Sequence, residues 1–239
     1  MRVLIAIPTY NECSNVIPLI ESILNEKLGA DILFIDDSSS DGTLDLIKKK
    51  QILNKNINLI INPKKSGVGN AHLMAIKYSY NQKYDYLVTM DADFTHNPKY
   101  LKDIIQLNLS CPLVTATRHI NRDSLNSWPQ FRKFLTKAAY FFTKNLLKIN
   151  FDATSGFRSY DLKKIDKSLF ESIKSKNYSF FVESSFVLNK QTLISYTAFG
   201  WFNPFNDISL LELLAPLFVA VFVNVPVSLL LPFTEYLTV

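Results

Sequence analysis

Tyr86-Leu87-Val88-Thr89-Met90-Asp91-Ala92-Asp93 is an apolar run that ends in two carboxylates one residue apart. The run reads as a buried strand and the acidic pair as the loop that leaves it. Open α/β sheets bind their ligands outside the carboxyl ends of parallel strands. Alternation is relaxed where the chain leaves the sheet, so both carboxylates can face one hard cation. Mg2+ and Mn2+ take such oxygen ligands and share them with substrate phosphates. Asp91 and Asp93 are therefore candidate metal ligands beside a diphosphate. Taken alone, the pair also reads as an acidic turn ahead of the helix that opens at Asn97-Pro98.

The rest of the chain repeats the same grammar. Apolar strands are expected over residues 2–7, 31–35, 57–61, 84–90 and 112–117. Helical periodicity separates them, as in Val16, Leu19, Ile20, Ile23 and Leu24. Asp41 is placed to cap a helix over residues 44–50, and Pro98 to open another. Strands alternating with helices predict an α/β fold, a doubly wound, mostly parallel sheet flanked by helices. Successive strand ends then deliver polar loops to one edge: residues 10–12, 36–43, 65–70 and 91–93. That edge is a ligand crevice by construction. The Gly67-x-Gly69 loop lacks the third glycine of a dinucleotide fingerprint and the Lys-Ser/Thr of a P-loop. Its glycines serve a positive-φ turn or a close backbone approach to a ligand.

Bulk properties narrow the class. The chain has 239 residues and 48% hydrophobic content, enough for one α/β domain with a small appendage. A net charge of +5 without an Arg/Lys block gives no nucleic-acid signature. Cys13 and Cys111 cannot make a disulfide scaffold and suit a reducing compartment. Residues 2–7 run straight into Pro8-Thr9-Tyr10 with no cleavage site, so the catalytic part is expected on the cytoplasmic side. Lys190 is the last basic residue, and residues 208–233 are almost wholly apolar. That is long enough for a membrane span, since about 20 apolar residues cross a bilayer. It carries Glu212, Pro216 and Pro226, which fits a kinked span over 208–232, a segment lying in the interface, or a buried tail.

Pro8-Thr9-Tyr10-Asn11-Glu12, Asp36-Asp37-x-Ser39-x-Asp41-Gly42-Thr43 and Asp91-Ala92-Asp93, in this order and spacing, resemble family 2 glycosyltransferases of the GT-A (Rossmann-like) fold. Thr117-Arg118 and Asp152-Ala153-Thr154-Ser155-Gly156-Phe157-Arg158-Ser159-Tyr160 resemble the dolichol-phosphate mannose synthases within that family. The resemblance spans residues 1–188. It implies that Pro8, Tyr10 and Glu12 line the base and ribose of a nucleotide-sugar donor, with Asp36 or Asp37 accepting hydrogen bonds from them. It implies Mg2+ or Mn2+ on Asp91 and Asp93, with Thr95 beside the metal. His96 reads as a turn residue next to phosphate. Transfer of a hexose, most simply mannose from GDP-mannose, to a polyprenyl or dolichyl phosphate follows as the expected activity.

The acceptor sets the remaining residues. A phosphate monoester has a second pKa of about 6, so at neutral pH it is already an anionic nucleophile. It needs cations rather than a general base, and Arg118 and Arg158 are the candidates for bidentate phosphate contacts. Single displacement with inversion is expected. Residues 127–148 set Trp128, Phe131, Phe134, Leu135, Ala138, Phe141, Phe142 and Leu146 at helical spacing among Arg132, Lys133, Lys137, Lys144 and Lys148. A basic helix rich in aromatics suits a membrane surface; the same stripe also suits packing on the sheet.

The resemblance has gaps. Phe180-Phe181-Val182-Glu183 keeps the Glu of a Phe-Gln-x-Glu pattern but not the Gln, leaving Glu183 to brace the site. Nothing after Gln191 matches the Arg-x-x-Gly-x-Ser-Lys of relatives. The chain therefore divides into a catalytic domain over 1–190 and a divergent hydrophobic, membrane-associated segment over 191–239. Other readings remain: a UDP-sugar donor, a saccharide hydroxyl acceptor with Asp152 or Glu183 as base, or a non-catalytic sugar-nucleotide-binding membrane protein.

Overall fold

Residues 3–7 are apolar on both faces because the strand they form is sandwiched between helices. In the computed structural model, which describes residues 1–117, 130–190 and 194–197, β1 (Val3–Thr9) lies at the centre of the sheet. Val3, Ile5 and Ile7 enter one core, and Leu4 and Ala6 enter the other.

The elements follow in the expected order. They are α1 (Cys13–Asn25), β2 (Asp31–Asp36), α2 (Thr43–Leu53), β3 (Ile57–Ile61), α3 (Val68–Asn81) and β4 (Tyr86–Thr89). A 3-10 turn at Pro98–Tyr100, capped by the Asn97 side chain on Lys99 N–H, leads into α4 (Leu101–Leu107). Then come β5 (Leu113–Ala116), α5 (Gln130–Leu146), β6 (Arg158–Asp161), α6 (Lys167–Glu171), α7 (Ser179–Asn189) and β7 (Ile194–Thr197).

The seven-stranded sheet has the order β3-β2-β1-β4-β6-β5-β7. β6 runs antiparallel to both β4 and β5, with Thr89 opposite Arg158. All other pairs are parallel. With one antiparallel strand the sheet is mostly parallel, as expected. The first residue of β6 lies at the edge where the parallel strands end, so the segment before it, residues 152–157, reaches that edge beside Asp91.

Helices α1, α2 and α4 cover one face around Ile5, Phe34, Val88 and Phe157. Helices α3, α6 and α7 cover the other around Leu33, Leu87, Tyr160 and Phe180. The sheet takes in Ile194–Thr197 beside β5, so a strand beyond the expected boundary at 190 belongs to it. The expected segment 208–232 and Arg118 lie outside the described residues. Among the described residues no helix is long and apolar enough to cross a membrane.

Candidate active site

The strand-end loops meet as the parallel register requires, and side chains of short reach lock them together. Asn11, in the left-handed region at φ 58°, donates its N–H to Ser39 Oγ and accepts from Ser40 N–H on its side chain. Glu12 N–H donates to Thr43 Oγ1 at 2.9 Å, and Cys13 N–H to Asp41 Oδ2 at 3.0 Å. Asp41 does not cap the second helix as expected, since Gly42 at φ 98° holds that position. Its Oδ1 accepts from the N–H and hydroxyl of Thr43 instead, and so ties the first two loops. The local pattern of Asp41, Gly42 and Thr43 was legible; the partner across 28 positions was not.

Asp36 and Asp37, expected to read base or ribose, are both buried and engaged within the protein. Asp36 accepts from the N–H and hydroxyl of Ser39 and from Thr9 Oγ1. Asp37 accepts from Ser66 N–H, Gly67 N–H, Ser66 Oγ and Asn62 Nδ2. Burial pushes the Asp37 carboxyl up, but those donated hydrogen bonds outweigh it and hold its pKa below the ordinary value. These two carboxylates build the crevice wall. Gly67 has φ 92°, and a Cβ there would collide with the Asn177 side chain and the Lys176 carbonyl. The expected positive-φ turn is present, and the close approach it permits is to the segment before α7 rather than to a ligand. Glu183 braces that segment by accepting from Lys174 and Ser175 N–H at 3.1 and 2.8 Å.

Pro8 lies half-buried at the end of β1. Tyr10 is 44% exposed, with the Lys65 ammonium 3.9 Å from its ring centroid. Lys65 escaped the sequence reading because nothing local ties it to Tyr10. A flat aromatic face beside a cation at the mouth of the crevice fits a base and a diphosphate.

Asp93 lines a concavity with Asn11, Glu12, Ser14 and Asn15. Its Oδ1 accepts from Thr95 N–H at 3.0 Å and Thr95 Oγ1 at 2.6 Å. Thr95, expected beside the metal, is turned onto Asp93 and orients it. Asp91 N–H donates to His96 Nδ1 at 2.8 Å. His96 is buried and stacks on Phe157 at 5.1 Å, so it is a framework residue rather than an exposed turn histidine. Burial raises the Glu12 carboxyl above its ordinary pKa; Asn15 opposes the rise, and Asp93, Asp91 and Asp41 add to it. Among the described residues no three His, Cys, Asp or Glu side chains are grouped to hold a metal alone. A pair of carboxylates in an electronegative crevice matches a cation that draws its remaining ligands from a diphosphate and water.

Arg158 does not reach the crevice. It is 1% exposed, and its donors go to Ser155 O, Ala153 O, Phe181 O, Ser184 Oγ and Ser185 Oγ at 2.7–3.0 Å. The expected contact with an acceptor phosphate is therefore ruled out in this conformation. Asp152 is buried, its Oδ1 holding the N–H and hydroxyl of Thr154. α5, by contrast, exposes Phe134, Phe141, Phe142 and Leu146, of which Phe134 is 66% and Phe141 62% exposed. Just beyond its carboxyl end, Leu147, Ile149 and Phe151 pack with Val182 and Phe186 of α7.

The sequence and the fold find their counterparts among known proteins. The chain is 31% identical over 188 residues to an undecaprenyl-phosphate mannosyltransferase of Micrococcus luteus, covering 78% of this chain and 77% of that one. It is 29% identical over 185 residues to a polyprenol monophosphomannose synthase of Mycolicibacterium smegmatis, covering 76% and 70%. A solved glucosyl-3-phosphoglycerate synthase of Mycobacterium tuberculosis, in complex with Mn2+, UDP and phosphoglyceric acid, superposes with a TM-score of 0.59 at 14% identity over 82% of this chain and 68% of that one. The model of glycosyl transferase family 2 matches residues 4–166, and the chain, a glycosyltransferase, belongs to that family.

Proposed function

We propose that this protein transfers mannose from GDP-mannose to a polyprenyl phosphate at the cytoplasmic face of a membrane. The apolar, aromatic face that α5 leaves exposed is the observation that carries the lipid acceptor. Phe134, Phe141, Phe142 and Leu146 would be costly to leave in water, and Lys144 and Lys148, also exposed, suit anionic headgroups. The two relatives are named for transfer of mannose to lipid phosphates of this class, which supports the same reading.

Asp91 and Asp93 would hold Mg2+ or Mn2+. The cation supplies Lewis-acid stabilisation of the leaving nucleoside diphosphate. Tyr10, Pro8 and Glu12 border the donor nucleotide, and Asp36 and Asp37 keep their loops in register. Thr95 orients Asp93. The acceptor phosphate attacks the anomeric carbon with inversion and needs no general base. Arg118, next in the chain after the buried Thr117, is the cation assigned to position that phosphate. Residues 1–197 form the catalytic unit, and 208–232 tether it to the membrane.

The test is a transfer assay with purified protein, Mn2+ or Mg2+ and a short polyprenyl phosphate. Labelled GDP-mannose, UDP-glucose and UDP-N-acetylglucosamine are offered in parallel, and label is counted in the organic extract. Label from GDP-mannose is the expected result. Label from a UDP-sugar alone replaces the donor, and label in a water-soluble saccharide replaces the acceptor.

A further inference from the structure

A guanidinium with 1% exposure is costly to bury unless its surroundings answer every donor. Arg158 meets no carboxylate among the described residues; its partners are main-chain carbonyls and hydroxyls. They belong to residues 153 and 155 on one side and to Phe181, Ser184 and Ser185 of α7 on the other. The planar fork thus hangs residues 153–157 from α7, an arrangement a point charge such as Lys cannot reproduce.

That suspended segment lies against the acidic pair. Gly156 O accepts from Thr89 Oγ1 at 2.8 Å, at the end of the strand that leads into Asp91. A Cβ at Gly156 would lie 3.4 Å from Asp91 Oδ1 and 3.4 Å from His96 Cε1. Phe157 stacks on His96, whose Nδ1 accepts the Asp91 N–H. The Asp91 carboxylate and the imidazole therefore flank the segment that Arg158 carries, with room there for a Cβ at ordinary contact and for nothing larger.

We propose that Arg158 is a positioning residue for the Asp91 carboxylate, acting through the floor of residues 153–157 that it suspends beneath the acidic pair. The inference rests on the reading that Asp91 and Asp93 hold the divalent cation. Mg2+ and Mn2+ sites are intolerant of ligand displacement, and loss of an outer partner of a ligand typically weakens metal affinity about 10–100-fold.

Mn2+ binding in the presence of GDP, and in parallel UDP, is read from the paramagnetic resonance signal of free Mn2+. Arg158→Lys, which keeps the charge and loses the fork, is expected to weaken Mn2+ binding about tenfold or more. Gly156→Val, which leaves Arg158 intact and pushes γ-carbons past the 3.4 Å Cβ contacts into Asp91 and His96, is expected to weaken it in the same sense. Ile47→Val, a one-methylene core change on α2, controls for general destabilisation and leaves Mn2+ affinity unchanged. A folded Arg158→Lys protein with Mn2+ affinity within twofold of native overturns the proposal. Where that variant does not fold, native affinity in Gly156→Val overturns it. Asp93→Ala separates the two levels. If it binds Mn2+ as tightly as native, the metal assignment beneath the proposal is the part that fails.

Discussion

Both carboxylate oxygens of Asp37 lie 2.9 Å from the backbone nitrogen of Ser66, 29 positions away. This bond joins the loop after β2 to the loop after β3, and Gly67 N–H and the Asn62 amide strengthen it. Asp37→Asn keeps one acceptor oxygen and turns an NH2 group, which cannot accept, toward the other main-chain donors. The expected cost is about 2–3 kcal/mol, the scale of hydrogen bonds to a charged group, read as a fall in the urea midpoint at pH 7. The folded carboxyl sits below its ordinary pKa. Its contribution is therefore present above the unfolded value and lost as acid takes the pH down through the folded one. Equal midpoints for native and variant at pH 7 would show the bond to be idle.

Asp93→Ala removes one of two carboxylates that the crevice offers a cation. Transfer is expected to fall more than about 100-fold and not to recover at saturating Mn2+. A metal titration of initial rates checks this, and full recovery at high Mn2+ assigns the metal elsewhere.

His72 is fully buried between Phe180 and Phe181, with neither ring nitrogen hydrogen-bonded. Burial, reinforced by the Arg158 charge, pulls its pKa down from 6.5 to about 3. Between those values the unfolded chain binds a proton that the folded protein does not, so stability rises with pH across that window. Taking pH from 7 to 5 is expected to cost about 2 kcal/mol through this residue alone. His72→Leu should flatten that slope and lose nothing at pH 7. The measurement is the denaturant midpoint at both pH values.

Phe141 and Phe142 face solvent near Lys144. Burying a Phe side chain contributes about 1.5–3 kcal/mol, so Phe141→Ser should lower partitioning onto anionic vesicles about tenfold or more. Donor binding without vesicles should stay as it is. Vesicle sedimentation measures the first, and unchanged partitioning removes α5 from the membrane surface.

Lys65 stands over the Tyr10 ring at the crevice mouth. Lys65→Ala is expected to raise the donor KM about threefold to tenfold and leave kcat within twofold, because a cation at the mouth acts on binding. Steady-state kinetics with varied donor decide it, and a loss confined to kcat would place Lys65 at the reacting centre.

Much of this site is written in short segments. The apolar run into Asp91-Ala92-Asp93, the Pro8 to Glu12 loop and the Asp36 to Thr43 loop each carry their chemistry within a few residues. A strand end is visible wherever hydrophobicity stops at polar residues, so Glu12, Asp91 and Asp93 were placed at one edge without coordinates. His96 lay in plain view, but its burial depends on Phe157, far along the chain.

Arg158 marks where that legibility ends. Its motif neighbours announce a functional basic residue, and bidentate phosphate binding is what an exposed Arg there would do. Whether it is exposed depends on strand direction and on α7, since β6 runs antiparallel and its first residue meets Ser184 and Ser185 across the sheet face. Side-chain type and periodicity are local properties, and the amino-acid sequence alone determined the parallel core, the loop edge and the acidic pair through them. Pairing direction, and which hydrogen-bond acceptors surround a buried cation, are properties of segments far apart in the chain. Tertiary structure alone therefore decided that the Asp36, Asp37 and Arg158 side chains are buried and hydrogen-bonded within the protein.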